Sequence, residues 1–227
     1  MKLAIFDIDG TLTKTDGVDD LSIVKAFFDS HQIADIDTDW TNYKYVTDSG
    51  ITLEIFTERL GRAPNARDIA VFKHCFIKNL SDFASRDKSL FAEIPNAALM
   101  LEDLKAEKNW AVALATGCYY DSAKLKLKQA NIVIEDYPHA TADDAVSREE
   151  ILRIAIEKSL KHYRQSEFEK IVSIGDGIWD VRTARNLGLD FIGIAGGERA
   201  EKLRKEGAEF IIEDFRDYEL FVEYLNK

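Results

Sequence analysis

Cysteine is nearly absent from the chain of 227 residues, with only Cys75 and Cys118. Two thiols so far apart in sequence make neither a disulfide framework nor a metal knuckle, and this favours a reducing compartment. Long apolar runs are missing too. Nothing is apolar for long enough to span a bilayer, and the amino terminus shows no basic stretch ahead of a signal-like segment. The expectation is a cytoplasmic protein with no membrane partner. Proline is scarce, with 3 residues, and at 46% hydrophobic and 31% charged the composition is that of an ordered chain rather than a disordered one. Positive charge is the remaining shortage, since 30 Lys and Arg against 41 Asp and Glu leave a formal net charge of −11. Nucleic acids and anionic membranes require a concentrated basic face, so both are excluded as expected partners. A small anionic ligand stays compatible, because a metal ion with one or two basic side chains makes a local positive pocket inside an acidic protein.

What is present begins at the amino terminus. Leu3-Ala4-Ile5-Phe6 reads as a short buried strand, and Asp7-Ile8-Asp9-Gly10-Thr11 follows it, putting two carboxylates two positions apart at a strand's carboxyl end. In an open α/β sheet that edge is where ligands bind. From about Ala97 onward the pattern alternates. Strands are expected over Trp110 to Ala115, Ile132 to Glu135, Ile171 to Ile174, Phe191 to Ala195 and Phe210 to Ile212. Helical patterns are expected over Ala98 to Glu107, Asp121 to Ala130, Arg148 to Tyr163, Trp179 to Leu187, Ala200 to Glu206 and Tyr218 to Leu225. Such alternation predicts an α/β fold with a doubly wound, Rossmann-like parallel sheet.

Between about Asp16 and Phe91 helical spacing dominates. Val18, Leu21, Val24 and Phe27/Phe28 form one stripe, and Ile69, Phe72, Phe76, Leu80 and Phe83 form another. The chain also exceeds the usual single-domain length of about 100 to 200 residues. The expected organisation is an α/β core of residues 1–14 and 92–227 with an inserted α-helical cap of residues 15–91.

Three more polar clusters follow strand candidates or open helices at the same sheet edge: Thr116-Gly117, Arg148 behind Ser147 as its cap, and Gly175-Asp176-Gly177 with Asp180. Taken in order with the first, these four motifs resemble those of the haloacid dehalogenase superfamily, in its phosphatase branch with a helical cap inserted after the first motif, as in phosphoglycolate phosphatases and β-phosphoglucomutases. The resemblance spans the whole chain. It implies that Asp7 is the nucleophile forming an aspartyl-phosphate and that Asp9 is the general acid and base. A phosphate ester facing two carboxylates meets repulsion of about 4 kcal/mol per charge pair at about 4 Å. The resemblance implies Mg²⁺ as the cofactor that offsets it, held by Asp7, the Asp9 backbone carbonyl and Asp176, with Asp180 as a further ligand or anchor. Thr116, Gly117 and Arg148 would bind the phosphoryl oxygens.

The remaining candidates carry simpler readings. Lys124, Lys126 and Lys128 follow the second motif as an expected solvated face, and Cys118 has no His partner in sequence, which suits a small pocket-lining residue. His31 and His74 lack acids at ligand spacing. Tyr43 and Thr47, in a polar and aromatic stretch with Tyr45, Asp48 and Gly50, are candidate substrate contacts from the cap. The expected function is a Mg²⁺-dependent phosphatase of a small phosphorylated metabolite, monomeric or homodimeric. A phosphosugar mutase shares the same two acids. A phosphorylation-dependent signalling module fits less well, because receiver domains carry their acceptor Asp on a middle strand.

Overall fold

The computed structural model describes residues 1–227 and places six strands in one parallel sheet, in the order β3-β2-β1-β4-β5-β6. The strands are β1 (Lys2–Phe6), β2 (Trp110–Ala115), β3 (His139–Ala140), β4 (Ile171–Gly175), β5 (Asp190–Ile194) and β6 (Phe210–Ile212). The helices are α1 (Asp16–His31), α2 (Asp48–Leu60), α3 (Ala66–Arg86), α4 (Ala97–Ala106), α5 (Tyr120–Gln129), α6 (Arg148–Tyr163), α7 (Ile178–Leu187), α8 (Gly197–Glu206) and α9 (Tyr218–Asn226). β1 is central and pairs with β2 on one side and β4 on the other. The strand order turns back on itself at β1, and that point is where an open sheet leaves a crevice at its carboxyl edge.

Because successive side chains point to opposite faces of a strand, both faces of this sheet are apolar and both are covered. Ala4 and Phe6 of β1, Val112 and Leu114 of β2, and Val172 and Ile174 of β4 pack with α4, α5 and α9 through Leu101, Leu104, Leu127 and Phe221. Leu3, Ile5, Ala111 and Ala113 face the other way, onto Ile151, Leu152 and Ala155 of α6. A separate cluster is built by α1, α2 and α3 around Phe27, Phe56, Phe72 and Phe76, with the Phe27 and Phe72 ring centroids 4.4 Å apart. Asn65 opens α3 with a reciprocal capping box to Asp68.

Two sequence expectations are corrected. Ile132 to Glu135 is not a strand. The Ile132 amide donates to the Leu127 carbonyl, and those of Asp136 and Tyr137 donate to Val133 and Ile134, so the backbone closes on itself in a 3-10 turn over Ile134–Asp136. Strand pairing starts only at His139, opposite Leu114. The α1 stripe is also rotated from the expected one. Val18, Ile23, Ala26 and Phe27 are buried, whereas Leu21 is 60% and Phe28 51% exposed. The α3 stripe holds in its central part, with Phe72, Phe76 and Leu80 at 0% exposure.

Candidate active site

The sequence folds so that all four motifs meet where the strands end. The Asp7 amide donates to the Ile174 carbonyl at 2.9 Å, extending the ladder by one residue. Ile8 turns into the core, and the chain then reverses at Gly10, whose φ of +71° suits glycine. A Cβ at Gly10 would collide with the Asp176 carboxylate, so the absence of a side chain there is what lets β1 and β4 bring their acids together. At β2, the buried Thr116 accepts from the Cys118 amide at 3.2 Å through its hydroxyl. Gly117 is approached by Arg148, whose Nη2 would lie 2.8 Å from a Cβ placed there.

Asp7 is buried among charges. Arg148 Nη1 lies 3.7 Å from its Oδ1, an ion-pair distance too long for a hydrogen bond, and that oxygen has no hydrogen-bond partner. The Arg148 guanidinium is fixed by donation to Asp180 Oδ1 at 2.7 Å and to the Val46 carbonyl at 2.8 Å. Asp180 also accepts from the Gly177 amide at 3.0 Å, closing the first turn of α7. Burial pushes the Asp7 carboxyl well up, with the Asp180 charge adding to it and Arg148 opposing. Asp176 is likewise pushed well up, by burial and then by Asp16 and Asp180.

Asp9, two residues on, points the other way. Its Oδ2 receives Lys126 Nζ at 2.9 Å and Cys118 Sγ at 2.6 Å, and its Oδ1 receives the Thr15 hydroxyl. Burial raises its pKa, but Lys126, Cys118 and Thr15 outweigh burial, so the net direction is down. Lys126 is 0% exposed, which overturns the solvated-face reading of this lysine. A signal for it existed in the sequence. Ser122, Ala123, Lys126 and Leu127 share the inward face of α5 at helical spacing, and the lysine sits among apolar and small residues there.

A cavity of about 670 Å³ opens over these groups, lined on the strand side by Asp7, Asp9, Thr116, Cys118, Arg148 and Asp176. The helical side supplies Asp16, Asp19, Trp40, Thr47 and Asp48. Of the two cap candidates, Thr47 therefore reaches the cavity. Its side chain also caps α2, accepting from the Gly50 amide at 3.0 Å and donating to the Val146 carbonyl at 2.7 Å. Tyr43 does not line the cavity: its hydroxyl donates to the Asp37 carbonyl at 2.8 Å and its ring packs 5.6 Å from Trp40. Arg199, at the start of α8, was not foreseen. It pairs with Asp176 and donates to Asp16 at 2.8 Å. Nothing in its local pattern distinguishes it from other surface arginines.

A divalent cation fits this site by donor chemistry. Carboxylate oxygens of Asp7, Asp176 and Asp180 lie within 4.8 Å of one another, all three residues are buried, and the Asp7 Oδ1 is unpartnered. An all-oxygen set of this kind suits a hard ion. Asp180 is the most committed of the three, since both its oxygens already accept hydrogen bonds.

The family model of haloacid dehalogenase-like hydrolases matches residues 1–188. The chain belongs to this family of hydrolases. No curated protein matches the hydrolase in sequence. Among solved structures it is similar to a hydrolase from Pseudomonas syringae, at 21% identity over 98% of both chains with a TM-score of 0.75. It is similar to a putative β-phosphoglucomutase from Bacteroides vulgatus, at 16% identity over 100% of this chain and 89% of the other, with a TM-score of 0.69. It is also similar to CbbY from Rhodobacter sphaeroides, solved in complex with phosphate, at 17% identity over 95% of each chain and a TM-score of 0.63. At these identities the likeness is one of fold. No helix is long and apolar enough to cross a membrane.

Proposed function

We propose that this hydrolase is a Mg²⁺-dependent phosphatase that cleaves a small phosphorylated metabolite through an aspartyl-phosphate on Asp7. The observation that carries the reading is the opposite setting of the two acids. Asp7 offers a buried, unpartnered oxygen to the cavity beside Arg148, while Asp9 is held by hydrogen-bond donors on both of its oxygens. Asp7 attacks phosphorus, and its carboxylate forms the P–O bond as the alkoxide leaves. Its donors hold Asp9 ionised, so it acts by relay: it takes the proton that the phosphate ester's monoanion brings, passes it to the leaving alkoxide, and then takes one from the water that hydrolyses the acyl phosphate. Arg148, held by Asp180, and the donors at Thr116 and Gly117 face the transferring phosphoryl oxygens. Asp7 and Asp176 would hold Mg²⁺, with Asp180 beside them, and the ion would supply charge neutralisation between carboxylates and phosphate. Residues 15–91 serve in this reading as the cap that excludes water, with Thr47, Trp40 and Asp48 facing the substrate's leaving group.

The test is phosphate release from 4-nitrophenyl phosphate and a panel of phosphorylated sugars and hydroxy acids, with Mg²⁺ and with excess chelator. Metal-dependent release of free phosphate is the expected result. Isomerised sugar phosphate without free phosphate would replace the phosphatase by a mutase, and no turnover of any ester would contradict both.

A further inference from the structure

Lys126 has no part in the chemistry proposed above, yet burying an ammonium costs several kcal/mol unless it is fully paired. An aliphatic side chain would fill the same space on α5 without that cost. This lysine donates hydrogen bonds to Asp9 Oδ2 at 2.9 Å and to Cys118 Sγ at 3.3 Å, and its ammonium is ion-paired with the carboxylate of Asp19 on α1. Cys118 in turn donates to the same Asp9 oxygen. Lys126 does not line the cavity, whereas Asp9, Asp19 and Cys118 do. It therefore touches the reaction only through its neighbours.

We infer that Lys126 is a positioning residue for Asp9, fixing the direction of that carboxylate through an ammonium shared with α1. The inference rests on the reading of Asp9 as the acid and base of the phosphatase. Geometry gives the reason for a lysine. Asp9 and Asp19 both approach one point from different parts of the chain, one from the loop after β1 and one from the helical layer, and the ammonium between them pairs with both. Without the ammonium the two carboxylates repel, and Asp9 turns toward the open cavity and away from Cys118. The proton it delivers then misses the leaving oxygen, while the nucleophile, Arg148 and the metal-binding oxygens stay where they are. The loss falls on the part of the reaction that needs a proton.

The experiment compares wild type and Lys126→Met on two esters, an alkyl phosphate whose alkoxide must be protonated and 4-nitrophenyl phosphate, whose leaving group departs as a stable anion. The alkyl ester is expected to lose about 10²-fold in kcat and the aryl ester less than about tenfold, the span of general-acid catalysis. Equal losses on the two esters, or no loss on either, would overturn the inference. Crystal structures of both proteins give a readout independent of turnover. In the variant the Asp9 carboxylate is expected to have left Cys118, and an unmoved Asp9 would also overturn it. If wild type hydrolyses neither ester, the phosphatase reading fails, and the crystal structures still decide whether Lys126 holds Asp9. Should Lys126→Met not fold, Lys126→Gln, which removes the charge but leaves a polar end beside both carboxylates, is read in the same way.

Discussion

Asp7 and Asp9 are the same residue type, two positions apart on one loop, and they sit in opposite fields. Around Asp7 stand the acids Asp176 and Asp180, Arg148 is the cation paired with it, and burial pushes its carboxyl well up. Around Asp9 a buried ammonium, a thiol and a hydroxyl converge, and the net shift is down. The two surroundings come from different layers: the sheet, α6 and α7 on the Asp7 side, α5 and α1 on the Asp9 side. Their fields favour a protonated Asp7 and an ionised Asp9, so the proposed nucleophile needs a cation beside it to ionise and the proposed acid needs a proton brought to it.

The contrast can be broken most severely on the Asp7 side. Asp7→Asn is expected to cut phosphate release by about 10³-fold or more while leaving Asp9 and the fold intact, measured by initial rates at saturating substrate. Asp176→Asn should cost about 10²-fold at fixed Mg²⁺, with the metal concentration for half-maximal rate moved upward, since a carboxylate is removed from the all-oxygen cluster.

The Asp9 side is sharpened by a stability measurement. Asp48 faces Lys126 from α2, accepts from the Tyr119 amide at 2.7 Å, and is pushed up to about 6, mainly by burial. A carboxyl raised on folding is protonated in both states below about pH 4, so there it takes nothing from stability. As pH climbs, the unfolded chain ionises first, and stability falls until the folded carboxyl ionises at about 6. Asn keeps the acceptor for Tyr119 and cannot ionise. Asp48→Asn is therefore expected to gain on wild type by on the order of 2 kcal/mol between pH 4 and pH 7, read by chemical denaturation at both values. A difference that does not change with pH would remove Asp48 from the charge balance around Lys126. The smallest expected effect is that of Arg148→Lys, about tenfold in kcat/KM, because a point charge replaces a planar fork held by both Asp180 and Val46.

The sequence made the Asp7 side far more legible than the Asp9 side, and the reason is physical. Asp7, Thr116, Arg148, Asp176 and Asp180 stand at strand ends or helix starts, and turn chemistry with an apolar run on one side marks such positions locally. Lys126 and Asp19 lie inside helices, where a charged residue at helical spacing ordinarily faces water, and only the company of Ala123 and Leu127 hinted otherwise. Arg199 reaches Asp176 across the sheet edge, a long-range contact with no local trace. The doubly wound sheet followed from alternating strand and helix patterns, while the order of its strands did not. Ile132 to Glu135 was misread because apolar content carries no information about where backbone amides are spent, and these are spent on a 3-10 turn.

Covalent trapping at Asp7 tests the central claim most directly. The enzyme is mixed with a turned-over phosphate ester, quenched in acid, reduced with borohydride and mapped by peptide mass spectrometry. An acyl phosphate is reduced where a free carboxylate is not, so the expected product is homoserine at position 7 and nowhere else. Phosphate release with Asp7 left unreduced, or reduction at another acid, would contradict the account.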